Sequence, residues 1–130
     1  MKNIIEELKS KTKLFQIGTV SQDEINNAEN QLNLHFTEEY KNYLSNYGAI
    51  SFGAHEITGL GVSGYLNVVT ATEKERNLSG NFPNDCILIE NNGIDGMLTV
   101  MDVNGSVYSF DGTTKKKIAS SFSEFLKNCI

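Results

Sequence analysis

Residues 20–48 read VSQDEINNAENQLNLHFTEEYKNYLSNYG and contain two consecutive helix signatures. Ser21 and Glu24 have the spacing of a capping box, which marks the start of a helix. Thr37 is a second N-cap residue, and Gly48 is expected to end that second helix in a left-handed conformation. Each predicted helix has an apolar stripe at helical spacing, Ile25, Ala28 and Leu32 in the first and Tyr40, Tyr43, Leu44 and Tyr47 in the second. Both stripes must pack on something else, with the tyrosine hydroxyls expected at the rim of the core.

The rest of the chain is predicted to be mostly strand. Asn104 and Gly105 form a two-residue hairpin signal between two of these strands. The predicted strands cover residues 50–52, 55–60, 66–69, 86–90, 97–103, 106–110 and 115–119, and the last is expected to be an edge protected by lysines. Further helices are predicted around Ile4 to Leu8, over residues 71–78 and after Ser121. The expected fold is α+β, a single domain of residues 1–130 with helices on one face of a largely antiparallel sheet.

The order of these segments resembles the SUKH superfamily. The likeness is carried by E-E-Y-K-x-Y-L-x-x-Y-G at residues 38–48, followed by Gly59-Leu60 and the strand CILIE at residues 86–90. The glycine-rich turn 92–96, the hairpin 101–108 and the closing segment 119–126 continue it, so the match covers about residues 20–126. Thr37 stands where the family usually has proline, and the family's aspartate after the glycine-rich turn is displaced. The resemblance implies a protein of the class that contains fungal cell-wall regulators and bacterial immunity proteins.

Composition describes an ordinary globular protein of 130 residues, with 39% hydrophobic and 21% charged residues. Cys86 and Cys129 lie in apolar segments and form no disulfide framework, which suits a reducing compartment. The N-terminal segment MKNIIEELKSK has carboxylates where a signal peptide needs an apolar run, and no segment is long enough to span a bilayer. We therefore expect a cytoplasmic protein without a membrane partner.

Several motifs resemble cofactor or metal sites, but each is better explained by an ordinary structural role. Residues 59–64 form a G-x-G-x-x-G pattern, yet the flanking segments do not fit the strand and helix that a dinucleotide site needs. Residues 91–102 offer too few carboxylates for a calcium loop. His35 and His55 have no second ligand at metal-binding spacing. We predict no catalytic residue, no metal, no cofactor and no enzymatic activity.

Charge is unevenly distributed along the chain. Residues 42–114 carry eight acidic and two basic side chains, whereas residues 115–130 have a net charge of +3 and the whole chain −5. Such a segment would repel nucleic acid and attract a basic protein. The alternative is that the carboxylates only keep strand edges and turns soluble.

The resemblance to the SUKH superfamily implies a non-catalytic immunity protein that binds and neutralises a cognate polymorphic toxin, and the negative charge would suit a toxin that is a basic nuclease. The alternative is a regulatory scaffold domain that binds endogenous proteins. Because strand residues alternate, Ile87 and Ile89 should face the helices and Glu90 the partner, together with Cys86 and Leu88. Tyrosines are efficient interface anchors. The predicted partner-binding residues are Glu56, Tyr65, Glu90, Asp95, Asp102, Tyr108 and Asp111.

Overall fold

The computed structural model describes residues 1–93 and 96–130. Its helices are α1 (Lys2–Lys11), α2 (Gln22–Leu32), α3 (Glu38–Tyr47), α4 (Val68–Leu78) and α5 (Phe122–Asn128), with a short 3-10 helix at Gly64–Leu66. Its strands are β1 (Leu14–Gln16), β2 (Ile50–Phe52), β3 (His55–Ile57), β4 (Cys86–Asn91), β5 (Leu98–Asp102), β6 (Val107–Phe110) and β7 (Lys115–Ala119).

The strands form two antiparallel sheets, in the orders β1-β2-β3 and β4-β5-β6-β7. Thr58, which follows β3, joins them. Its amide N–H donates to the Ile89 carbonyl at 2.9 Å, and its hydroxyl donates to the Leu88 carbonyl at 2.6 Å. The two sheets therefore belong to one α+β domain, and the predicted fold class is confirmed.

The predicted helix starts are confirmed by hydrogen bonds. The hydroxyl of Ser21 accepts from the amide of Glu24 at 3.2 Å, and that of Thr37 accepts from the amide of Tyr40 at 3.1 Å. Ser121 caps α5 in the same way. Each cap satisfies a backbone donor that the first helical turn leaves without an internal partner.

The tyrosine stripe of α3 lies at the centre of the core. Tyr40, Tyr43 and Leu44 are fully buried, and the two tyrosine rings meet the Phe122 ring of α5 at centroid distances of 5.4 and 4.8 Å. The expectation that the tyrosine hydroxyls reach the rim is therefore wrong for Tyr40 and Tyr43, whereas Tyr47 is only half-buried. The Tyr43 hydroxyl donates to the Thr58 carbonyl at 2.8 Å, deep in the protein.

A β-bulge in β4 reverses the predicted side of Glu90. Leu88 and Glu90 pair with consecutive residues of β5, which makes Ile89 an extra residue in the strand. Since side chains alternate along a strand, the bulge places Glu90 on the face of Ile87 and not on that of Leu88. The expectation that Glu90 shares a face with Cys86 and Leu88 is therefore wrong.

The face of the second sheet that was expected to meet a partner is itself partly covered. Cys86 and Leu88 are buried in a second apolar cluster with Ala71 of α4 and Phe82 of the following loop. The remaining members of the cluster come from neighbouring strands of the same sheet. This cluster leaves much less free sheet surface than the sequence suggested.

Other local expectations also differ from the structure. Residues 66–69, expected as strand, contain the end of the 3-10 helix and the start of α4, because Asn67 caps α4 by accepting from two amides. The β5–β6 connection contains the four residues 103–106, and the Asp102 amide donates to the Ser106 carbonyl at 3.0 Å. This connection is longer than the predicted two-residue turn. Strand β1 was not predicted.

The first glycine of the G-x-G-x-x-G pattern has a packing role. Gly48 ends α3 with φ of +74° and ψ of −79°, and its carbonyl accepts from the Leu60 amide at 3.0 Å. A Cβ atom on Gly59 would lie 1.7 Å from that same carbonyl oxygen. Only glycine therefore allows the two backbone segments to approach so closely. Among residues 1–93 and 96–130, no helix combines the length and apolar character needed to cross a membrane.

Candidate functional site

The structure brings two of the predicted partner-binding residues together. The Tyr65 hydroxyl donates to a carboxylate oxygen of Glu56 at 2.8 Å. The Tyr65 side chain is 69% exposed, the second most exposed large apolar residue of the described chain. This hydrogen bond, followed by the charge of Glu56, raises the pKa of the phenol. A large aromatic ring is thus held in place on the surface by a carboxylate.

This pair borders a cavity of about 500 Å³ between β3, the 3-10 helix, α4 and β4. Its inner wall is apolar and includes Leu66, Ala71 and Leu88. Lys74 and Glu75 of α4 stand at its rim together with Glu56. Its volume lies in the range of about 300–1,000 Å³ that is typical of ligand sites.

A second predicted pair, Asp102 and Tyr108, also forms, but its groups already have partners. The Tyr108 hydroxyl donates to Asp102 at 2.9 Å, which raises the pKa of the phenol. The other carboxylate oxygen of Asp102 accepts from the amides of Asn104 and Ser106, both at 3.0 Å. The Lys115 ammonium lies 4.5 Å from the centre of the Tyr108 ring. Asp102 therefore stabilises a hairpin, and Tyr108 is partly covered.

Asp111 has a local structural role, whereas Asp95 lies outside the described residues. The Asp111 carboxylate accepts from the amides of Thr113 and Thr114 at 2.9 and 2.8 Å. These hydrogen bonds to the charged form lower the pKa of Asp111. Its side chain closes the turn between β6 and β7.

Glu90 is buried and connects the two sheets. Its carboxylate accepts from the Glu56 amide at 3.1 Å and lies 3.1 Å from Nδ1 of His55, so it is not available as an exposed partner contact. Glu90, His55 and Cys129 line a second cavity, which has a volume of about 280 Å³. Sequence reasoning missed this group because its members are far apart along the chain.

The thiol beside Glu90 is not activated as a nucleophile. Burial, with a further contribution from the charge of Glu90, raises the pKa of Cys129 to about 12. Burial likewise raises the pKa of Cys86 to about 12. A thiol acts as a nucleophile through its thiolate, so both cysteines are held in the unreactive form. In the part of the chain that the structure describes, no three His, Cys, Asp or Glu side chains are placed to hold a metal ion.

The charge asymmetry along the sequence is reduced in space. Strand β7 pairs with β6, and this places Lys115, Lys116 and Lys117 opposite Phe110, Ser109 and Tyr108. The lysines therefore lie beside the acidic hairpin that contains Asp102. The cavity near Glu56 has a different balance, because the charged side chains that line it among the described residues are Glu56, Glu75 and one cation, Lys74. The excess of acidic side chains counted for residues 42–114 is therefore retained around this cavity and reduced beside the lysines of β7.

Sequence reasoning did not identify the α4 side of the cavity. Thr70, Ala71, Lys74 and Glu75 line it, and their i, i+1, i+4 and i+5 spacing is typical of one helix face. The helix was predicted, but its orientation depends on contacts with β4 that no local pattern reveals. Phe15 in β1 and Ile17 directly after it are also exposed, at 59% and 50%, and the sequence did not predict this strand.

The described residues form an α+β domain with a surface cavity beside Tyr65. The family model SUKH_5, described as SMI1-KNR4 cell-wall, matches residues 1–130. The chain therefore belongs to the SMI1-KNR4 family of the SUKH superfamily, as the sequence motifs indicated.

A solved structure supports the fold independently. The crystal structure of a protein from Pseudomonas syringae pv. tomato superposes with a TM-score of 0.80 and covers 98% of this chain and 96% of its own. The two sequences are 15% identical, so the likeness concerns the fold alone. No curated protein sequence matches the chain significantly.

Proposed function

We propose that this protein is a bacterial immunity protein that acts in the cytoplasm. It binds a cognate toxin domain and blocks the toxin's active or substrate-binding surface, and it performs no chemistry of its own. Membership of the SUKH superfamily supports this class of function. The two free cysteines agree with a reducing compartment.

The observation that carries the proposal is the exposed ring of Tyr65, fixed by Glu56 beside an apolar-walled cavity. Tyrosine offers a large contact area and loses little side-chain entropy on binding, so it is enriched at the energetic centres of protein interfaces. A cavity next to such an anchor gives a partner side chain a place to insert. This arrangement favours protein recognition over catalysis.

Charge suggests the kind of toxin. The chain has a net charge of −5, and carboxylates outnumber ammonium groups at the cavity rim. A basic toxin, such as a nuclease that binds nucleic acid phosphates, would be attracted to this surface. Neither nucleic acid nor a membrane is a partner in this proposal.

A second candidate function is a regulatory scaffold that binds endogenous proteins. The family description, which refers to the cell wall, favours it. The same surface would serve, but its partner would be a resident protein and not a toxin.

Co-expression distinguishes the two functions. The toxin domain encoded beside this chain is produced in a sensitive bacterial host with and without the protein, and growth is measured. Growth restored by the protein, together with a complex of the two purified chains, is the result that the immunity proposal predicts. A neighbouring gene without a toxin domain, or a toxin that neither binds nor is neutralised, would contradict it and favour the scaffold.

A further inference from the structure

We infer that the cavity beside Tyr65 receives an arginine side chain of the protein partner. The inference deepens the proposed function, on which it rests, because it specifies which chemical group of the partner this surface recognises.

The inner wall of the cavity fits the aliphatic part of an arginine. Leu66, Ala71 and Leu88 present apolar surface, and Ala71 and Leu88 are almost completely buried. Arginine and lysine place their methylene groups along such surfaces while the charged end remains near water. An acidic side chain has no comparable apolar stem to bury there.

The rim of the cavity fits the guanidinium group. One oxygen of Glu56 accepts from Tyr65, and the other has no hydrogen bond within residues 1–93 and 96–130. Glu75 lines the same cavity, and none of the ion pairs within the described ranges involves either carboxylate. A guanidinium can donate to a carboxylate through two N–H groups and stack on a phenol ring. Tyr65 and Glu56 together offer both kinds of contact.

Two observations favour a cation over an anion, and arginine over lysine. Among the described residues, Lys74 is the one cation that lines the cavity, and the carboxylates of Glu56 and Glu75 line it as well. A partner carboxylate would therefore meet net repulsion. An ammonium group could pair with Glu56, but it lacks the planar surface that stacks on Tyr65. The inferred ligand is consequently arginine.

The first test uses a small probe and needs no toxin. N-acetyl-arginine amide is titrated into the labelled protein, and backbone amide resonances are followed by nuclear magnetic resonance. Saturable shifts are expected at Tyr65, Leu66, Ala71 and Leu88, with weaker binding of N-acetyl-lysine amide and none of N-acetyl-glutamate amide. Equal binding of the lysine and arginine probes, or no saturable shift at the cavity, would overturn the inference.

Substitutions test the sign of the charge effect. Glu56→Gln removes the inferred partner of the guanidinium and should weaken binding of the arginine probe by about tenfold. Lys74→Gln removes a repulsive charge and should strengthen binding by roughly two- to fivefold. Glu73→Gln is the matched control, because Glu73 is exposed on α4 but does not line this cavity. Weaker binding of the arginine probe after Lys74→Gln would contradict the inferred repulsion between Lys74 and a guanidinium in the cavity, and would overturn the inference.

The probe separates this inference from the proposed function. If the arginine probe binds but the neighbouring toxin is not neutralised, the immunity proposal fails and the inference about the cavity stands. If the toxin is neutralised equally well by the parent and by Glu56→Gln, and the probe does not bind, the inference fails and the immunity proposal stands.

Discussion

The two buried tyrosines of α3 allow a comparison of two hydroxyl groups in one core. Tyr43 and Tyr40 are both fully buried and both pack on Phe122. The Tyr43 hydroxyl donates to the Thr58 carbonyl at 2.8 Å and more distantly to the Ile57 carbonyl at 3.3 Å. In the described part of the chain, the Tyr40 hydroxyl makes no hydrogen bond of normal geometry, and the nearby Thr58 side chain offsets only part of the rise in pKa that burial causes.

The expected magnitudes follow from this difference. Tyr43→Phe keeps the ring but deprives a buried carbonyl of its donor, which should reduce the free energy of unfolding by about 1–3 kcal/mol. Tyr40→Phe removes a buried hydroxyl whose interaction with the Thr58 side chain is weaker than a normal hydrogen bond, so it should leave the stability within about 0.5 kcal/mol or increase it. The packing of both rings on Phe122 is retained in both variants.

Urea unfolding followed by circular dichroism measures both values. For a domain of this size, each kcal/mol also corresponds to a change of roughly 3–5 °C in Tm. Equal losses of stability in the two variants, or a larger loss for Tyr40→Phe, would refute the assignment of one satisfied and one unsatisfied hydroxyl.

Three further outcomes are expected. Leu44→Ala should reduce the free energy of unfolding by about 2–5 kcal/mol, whereas Leu78→Ala, at a position 70% exposed, should have little effect. Equal urea midpoints of the Leu44 variant and the parent would contradict the burial of Leu44 in the core. Glu90→Ala should reduce the free energy of unfolding by about 1–3 kcal/mol, because the Glu56 amide loses its acceptor. Glu73→Ala, at an exposed position, is the control and should not change the value in the same unfolding assay. Burial raises the pKa of Tyr43, so its stabilising contribution is complete below the unfolded pKa of about 10 and is lost as the pH rises above it. Unfolding free energies measured from about pH 8 to 11 should therefore fall less steeply for Tyr43→Phe than for the parent, and parallel curves would contradict the burial of an ionisable phenol.

Local signals predicted the helices well because the physical cause of each signal is local. Ser21, Thr37 and Ser121 accept hydrogen bonds from amides three residues later, so the sequence contains the complete interaction. The stripe of α3 was also predictable, because helical spacing alone decides which side chains share a face.

The side of Glu90 was not predictable because it depends on strand pairing. Simple alternation along β4 places Glu90 with Leu88, but the extra residue Ile89 shifts the pairing with β5 and reverses it. A bulge is determined by two strands together, and no signal within one strand reveals it. The same limit explains why the pairing of Glu90 with His55 was missed.

The distribution of charge over the surface was only partly predictable, because residues that are neighbours in space are distant in sequence. The lysines of β7 were counted as a separate basic segment, but β6–β7 pairing places them beside Tyr108. Asp102 and Asp111 were expected to contact a protein partner, yet each carboxylate accepts hydrogen bonds from backbone amides of its own turn. The pair Glu56 and Tyr65 was predicted as two separate residues, and the path of the chain between β3 and the 3-10 helix brings them together.

The most direct test of the binding surface compares two tyrosines. Titration calorimetry measures the affinity of the neighbouring toxin domain for the parent, Tyr65→Ala and Tyr108→Ala. Because Tyr65 is exposed at the cavity and Tyr108 is covered by Lys115, we expect Tyr65→Ala to weaken binding by about thirtyfold or more, and Tyr108→Ala by less than about threefold. A larger loss of affinity for Tyr108→Ala than for Tyr65→Ala, or unchanged affinity for both, would contradict the assignment of the cavity face as the binding surface.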